Sequence, residues 1–126
     1  MLLTYSNTQD FSSTQLAELF RSVGWTSAKY PERLRQAMRN SSGVVSAWDG
    51  DRLVGLINCL SDGTLTAYIH YLLVHPDYQG QGVGRELVRL MFERYSDCVR
   101  KVLIAENEAV DFYKKLGFVV GTGTSA

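Results

Sequence analysis

The sequence predicts one mixed α/β domain whose sheet is mostly antiparallel. Three observations predict this class. Val44 to Trp48, Arg52 to Leu60 and Thr66 to Val74 are consecutive β-type runs joined by tight turns at Asp49-Gly50-Asp51 and Asp62-Gly63, an antiparallel meander. Past Val74 the apolar period becomes helical, with Leu87, Val88, Met91, Phe92 and Tyr95 on one face. Lys101 to Ala105 is then a short apolar strand. Ala67 to Ala105 thus make a strand–helix–strand unit, which closes as a right-handed parallel crossover.

The other elements follow in order. Leu2 to Tyr5 is a short edge strand. Asp10 to Thr14 offers several N-cap side chains, and Leu16, Leu19, Phe20 and Val23 then recur at helical spacing up to a stop at Gly24. Trp25 to Tyr30 is a loop with two aromatics. Pro31 suits the first turn of a second helix, whose inner face is Leu34, Ala37 and Met38 and which ends across Asn40 to Gly43. Glu108 to Leu116 is a late helix capped by Gly117, and Phe118 to Val120 open a last strand. Residues 119–126 are that short final strand and a frayed tail.

Composition narrows the function classes. A chain of 126 residues is one domain, residues 1–126, with enough buried surface to fold without disulfide or metal. Hydrophobic residues at 45% and charged residues at 21% argue against intrinsic disorder. Lys plus Arg and Asp plus Glu number 13 each, so the basic footprint of a nucleic-acid binder is missing. No apolar run approaches the ~20 residues of a membrane span. The first ten residues lack the charged and apolar regions of a secretory signal, which points to the cytoplasm. Cys59 and Cys98 form no CxxC pair and no zinc spacing with His70 or His75; they read as buried free thiols, and spacing alone leaves a disulfide open.

The chemistry concentrates in Gln79-Gly80-Gln81-Gly82-Val83-Gly84-Arg85, between a strand and a helix. Bare Cα atoms at Gly80, Gly82 and Gly84 let a ligand reach the backbone. The first-turn amides of the following helix lack intrahelical acceptors and carry the positive end of its dipole, a fit for phosphate or pyrophosphate. The dinucleotide fingerprint fails because Arg85 stands at its third glycine, and the GxxxxGK[ST] loop fails as well.

This stretch resembles the GNAT superfamily of acyl-CoA-dependent N-acyltransferases. Gln79, Gly82 and Gly84 match the family's loop in register. Leu72 to Tyr78 match the strand end before it, and Phe112 to Phe118 match the family's late helix and strand start. The likeness is close over the second half of the chain and holds only in element order over the first. It implies a mixed, mostly antiparallel sheet with helices on both faces and a splay between the fourth and fifth strands. The pantetheine arm of acetyl-CoA would lie in that splay against backbone at Leu73 and Val74. Its pyrophosphate would rest on Gln79, Gly80, Gln81, Gly82, Val83, Gly84 and Arg85, with the Arg85 side chain either on a phosphate or in solvent.

The resemblance also implies roles. Tyr113 matches the tyrosine that protonates the CoA thiolate in many members, and a phenol is a donor at neutral pH; its alternative is an aromatic packed beside Phe112. A primary amine is only about one part in a thousand neutral at pH 7, so a base helps. His70 is the candidate base, since an imidazole titrates near pH ~6.5; its alternative is a hydrogen-bonded sheet residue. The family's arylalkylamine branch has a histidine pair where this chain has Tyr68 and His70. His75, beside Pro76, reads as structural or exposed. Many members have Asn at Glu106, and Asn107 is one residue out of that register. Cys98 follows the long helix, away from the splay, which argues against a nucleophile.

The expected function is transfer of an acetyl group from acetyl-CoA to a primary amine by direct attack in a ternary complex. Trp25 and Tyr30, with Tyr68, are the candidate acceptor contacts, which favours a small and aromatic amine; Trp25 could equally plug the core. Asp62 and Asp111 could attract a cationic amine or simply lie on the surface. Two alternatives stay open: a catalytically silent CoA-binding or scaffold domain, and a protein N-terminal acetyltransferase. The expected partners are therefore a small-molecule or peptide amine and, through an open last sheet edge, a second copy of the chain.

Overall fold

A computed structural model describes residues 2–105 and 109–121. The elements are β1 (Thr4–Ser6), α1 (Ser13–Ser22), α2 (Pro31–Asn40), β2 (Gly43–Asp49), β3 (Arg52–Ser61), β4 (Thr66–Val74), α3 (Val83–Arg94), β5 (Arg100–Leu103) and α4 (Val110–Lys115). The expectations for Glu106 and Asn107 and for the tail from 122 lie outside the described residues.

The five strands lie in chain order, β1-β2-β3-β4-β5. The first three pairings are antiparallel and β4–β5 is parallel, the mixed sheet the sequence predicts. Each face buries a separate core. Leu16, Leu19 and Phe20 of α1 and Leu34 and Met38 of α2 cover one face with Val44, Leu56 and Leu73. Val83, Leu87, Val88 and Met91 of α3 cover the other with Val45, Val54, Ile57 and Ile69. Removing a ring such as the fully buried Phe20 costs about 3–5 kcal/mol.

Local chemistry sets the helix ends. Ser12 is the N-cap of α1: its hydroxyl accepts the Gln15 amide at 3.0 Å while the Gln15 side chain accepts the Ser12 amide at 3.1 Å. Gly24, at φ 74°, turns the chain away after α1. Gln9 donates from Nε2 to the carbonyls of Met38 and Ser41 and so ties the end of α2 to the β1–α1 connection. Gly55 lets α3 settle on the sheet, because a Cβ there would come within 3.1 Å of Leu87 and 3.2 Å of Val83.

Four details differ from the sequence reading. β1 begins two residues later than Leu2 and ends one later than Tyr5, in register with β2 through Thr4, Tyr5 and Ser6. Ala37 is exposed, so Leu34 and Met38 alone face inward on α2. The loop from Trp25 to Tyr30 contains a 3₁₀ turn at Thr26–Lys29. The last strand expected from Phe118 is not formed over 118–121. There the Phe118 amide donates to the Tyr113 carbonyl and finishes α4. Val119 and Val120 then stand exposed, without a neighbouring strand among the described residues to pair with.

Candidate active site

The site is built on β4, whose two halves behave differently. Thr66 to Ile69 pair with Arg100 to Leu103 of β5, and the pairing stops there. His70 to Val74 continue beside β3 only, so their other edge is open among the described residues. This is the expected splay. A backbone edge left unpaired must find acceptors and donors elsewhere, which suits an extended ligand arm lying as a pseudo-strand.

A β-bulge occurs at the same point. Ile69 faces Cys59 and Tyr71 faces Asn58, which leaves His70 as the extra residue. Alternation would send Tyr71 to the α3 face with Ile69. The bulge instead turns it onto the α1–α2 face, where it packs against that core. Tyr71 and His70 rings therefore lie 4.3 Å apart, and Tyr68 and His70 rings 5.7 Å apart.

Asn58 stabilises this bulge. It is buried, and its Oδ1 accepts the Tyr71 amide at 2.8 Å while its Nδ2 donates to the Ser41 hydroxyl at 3.1 Å. The amide that the bulge detaches from the ladder thus has a side-chain partner.

The aromatic cluster extends toward the α1–α2 connection. Tyr71 meets Phe20 edge-on at 5.0 Å and Trp25 at 5.8 Å, and its hydroxyl lies 2.9 Å from the Ser27 hydroxyl. Of the predicted acceptor contacts, Trp25 and Tyr68 come together around His70 and Tyr71. Tyr30 does not join them by any ring contact; it is exposed, with the Arg33 guanidinium 5.8 Å over its ring. Ser27, Asn58 and Tyr71 were missed by the sequence reading. The one signal for Asn58 was a lone polar residue inside the apolar run Leu53 to Leu60.

The glycine-rich loop lies past the open end of β4. Gly80 and Gly82 have φ of 78° and 83° with no atom within 4 Å of where a Cβ would stand, so both keep the backbone open. Gly84 differs from expectation. A Cβ there would meet Phe112 Cζ at 3.4 Å, an ordinary contact, so the α4 ring lies beside this glycine and the space is less open than at Gly80 and Gly82. Among the described residues no amide from Gly80 to Arg85 has a protein acceptor, while the Gln79 amide bonds Pro76. The Gln79 side chain donates to the Val74 carbonyl at 2.9 Å and locks the loop to the strand end. Val83 is buried and anchors α3, and Arg85 is exposed with no ion-pair partner among the described residues. These free amides, with the open β4 edge, fit a pyrophosphate and its pantetheine arm.

Tyr113 lies on α4, next to the Phe112 ring that reaches Gly84. Burial raises its phenol above the usual tyrosine range, so it keeps its proton at neutral pH. His75 is structural: Nδ1 accepts the Asp77 amide at 3.1 Å and caps the turn Pro76–Tyr78. Asp62 accepts three amides of its own turn, from Thr64, Leu65 and Thr66, which hold its carboxyl below the usual range. Cys98 is buried beside Ser61, away from this cluster. Among the described residues no group of His, Cys, Asp and Glu could hold a metal ion, and no helix is long and apolar enough to cross a membrane.

Comparisons with known proteins agree with this geometry. Residues 7–124 match the acetyltransferase (GNAT) domain family. An uncharacterized N-acetyltransferase, ycf52, of Porphyra purpurea is 33% identical over 121 residues, covering 90% of this chain and 68% of that protein. The histone acetyltransferase TAP1 of Glycine max is 31% identical over 131 residues, covering 92% of this chain and 55% of that protein. The solved structure of the GNAT-family acetyltransferase SP0256 of Streptococcus pneumoniae superposes with a TM-score of 0.84 at 30% identity, covering 99% of this chain and 97% of that one. The matched domain, the splayed sheet and the glycine-rich loop give one answer: the chain belongs to the GNAT family of acetyl-CoA-dependent N-acetyltransferases.

Proposed function

We propose that the protein acetylates the primary amine of a small acceptor that carries an aromatic or apolar group. The observation that carries this is the β4 bulge. It gathers Tyr68, His70, Tyr71 and Trp25 at the point where the β4 edge opens. Rings supply contact area for an apolar acceptor, and the imidazole lies among them.

The amides of Gly80 to Arg85 would hold the pyrophosphate, and backbone at Leu73 and Val74 the pantetheine arm. When bound, acetyl-CoA supplies the thioester carbon and the thiolate leaving group. His70 works on the acceptor side. With Nδ1–H donating to the Tyr68 hydroxyl, 3.4 Å away, Nε2 keeps a lone pair for the ammonium proton. Tyr113 works on the leaving-group side, where its hydroxyl donates a proton that burial keeps in place. The Tyr71–Ser27 contact holds the 3₁₀ turn over the acceptor region.

The test is thiol release from acetyl-CoA with a panel of amines. Aromatic amines turned over, with loss in Tyr113→Phe and His70→Gln, support the reading. Tight acetyl-CoA binding with no amine turned over would instead make the chain a silent CoA-binding domain. A Gly82→Glu variant tests the cofactor's place: a new carboxylate on the open loop repels phosphate, so calorimetric binding disappears.

Likeness to a histone acetyltransferase favours a second reading, a protein amine as acceptor. Turnover of peptide amines over small amines would select it. We also read the outer edge of β5 as a homodimer surface, because Val99, Val102 and Ile104 are exposed along it. A monomer by light scattering at high concentration refutes that. The cytoplasm is the compartment this reading takes, since both thiols are free. Labelling of a tagged chain checks it.

A further inference from the structure

We infer that a small oxyanion, phosphate or carboxylate, binds between the C-terminal half of α1 and the start of β3, held by Arg52, His75 and Arg21. A cleft of 240 Å³ lies there, and Arg21, Ser22, Arg52 and His75 line it together with Glu18. Its volume is about eight water molecules' share of the liquid. That is below the ~300 Å³ where sites for larger organic ligands begin. The cleft suits one small ion with its hydration.

The reason for an anion is a conflict of donors. His75 Nδ1 accepts the Asp77 amide at 3.1 Å. The Asp77 carboxylate is 3.9 Å from the same nitrogen, too far to take a proton from it. A neutral imidazole accepts at one nitrogen and carries its proton on the other. At least one of the two ring nitrogens therefore carries a proton. Yet Nε2 lies 3.0 Å from Nη2 of Arg52, which is also a donor. Both ring nitrogens face donors, so whichever of them carries the proton, one N–H faces another donor. An oxyanion oxygen beside them accepts from both and removes the conflict.

The surrounding charges support this. Arg21 and Arg52 have no carboxylate within ion-pair distance among the described residues. Glu18 is the one acid lining the cleft, against two guanidiniums. Arg52 is also held in place: its guanidinium lies 5.8 Å over the Tyr78 ring, and the Tyr78 hydroxyl donates to Asp49. The cleft is on the β3 side of the end of β4, whereas the glycine-rich loop follows that end toward α3. It is a second anion site, independent of the acetyl-transfer reading.

Nitrogen-15 spectra of the histidine rings test it, because the chain has only two histidines. Sodium phosphate and sodium acetate are titrated separately at constant ionic strength, with chloride as the balance. The expected result is a saturable change at His75, none at His70, and a response at least about tenfold weaker in Arg52→Gln. Arg21→Gln weakens it less. Arg52→Lys, which keeps a charge, retains part of the response, and unchanged His70 signals show that each variant is folded. An equal change with chloride alone, a linear response, or no effect of Arg52→Gln overturns the proposal. So does a His75 change seen with acetyl-CoA but not with free phosphate or acetate. That result would give the cleft to the co-substrate's own phosphate, which 3′-dephospho-acetyl-CoA then checks by losing the change.

Discussion

The two halves of β4 carry similar residues and have different fates. Thr66 to Ile69 alternate cleanly, with Ala67 and Ile69 buried under α3, and from Ala67 on they are paired on both sides, to β3 and to β5. His70 to Val74 begin with a bulge, lose β5 and place His70 and Tyr71 on the same face. We read the first half as scaffold and the second as the candidate site. What separates them is one extra residue together with one missing neighbour strand. A strand need not change composition to change function; it needs a break in register where the sheet opens.

Several experiments break or sharpen that contrast. The largest effect is expected at the two groups proposed for the chemistry, His70 on the open half and Tyr113 on α4. Replacing His70 by Gln or Tyr113 by Phe lowers kcat by about 10²–10⁴, the range of general acid–base catalysis, with the fold intact by circular dichroism. The pH profile tests Tyr113. Burial disfavours the Tyr113 phenolate, so its proton is lost only above pH ~10, and the alkaline fall in kcat lies beyond that point.

Next is the bulge itself. Asn58→Leu removes the acceptor of the Tyr71 amide and leaves the Ser41 hydroxyl without that donor. Urea unfolding should show a loss of about 1–3 kcal/mol. Activity should fall further than stability explains, because His70 and Tyr71 lose their common face. An Asn58→Leu enzyme with full kcat would break the link between the bulge and the chemistry.

Smaller effects sharpen the boundary. Tyr71→Phe removes the bond to Ser27 at a cost of about 1 kcal/mol and raises KM for the acceptor severalfold while sparing KM for acetyl-CoA. Ile69→Val, in the paired half, costs about 0.5–1.5 kcal/mol in unfolding and leaves both KM values alone.

The smallest effect concerns Cys59, which lies on β3 opposite Ile69. Burial, first, and the nearby Cys98 push its thiol up to about 11. The thiolate is the alkylating form, so native Cys59 resists iodoacetamide at pH 8. The same shift has a stability sign. The folded state holds this proton where the unfolded state has lost it, so the contribution is complete below pH ~9 and is lost as pH rises toward 11.

Much of this was legible in the residues. Turns at Asp49-Gly50 and Asp62-Gly63 fixed the meander, and the spacing of Leu16, Leu19 and Phe20 fixed α1, because both depend on neighbours close in sequence. The glycine-rich loop declared itself for the same reason, since φ near +80° at Gly80 and Gly82 is a local demand. Other features were not legible. Tyr71 belonged by parity to the wrong face, and only a bulge held by Asn58, thirteen residues earlier, moved it. The Phe112 ring, twenty-eight residues later, lies against Gly84, a neighbour that local patterning does not reveal. Tyr30 looked like a partner of Trp25, and the 3₁₀ turn between them separates their surroundings.

Sequence alone therefore determined the element types, the glycine-rich loop and the family to which the chain belongs. Each rests on short-range patterns of polarity, turn chemistry and backbone freedom. Tertiary structure decided where β5 stops pairing with β4, which face Tyr71 takes, and which rings surround His70. Those depend on register and on contacts between residues far apart in the chain, where a shift of one position reverses a side chain's direction.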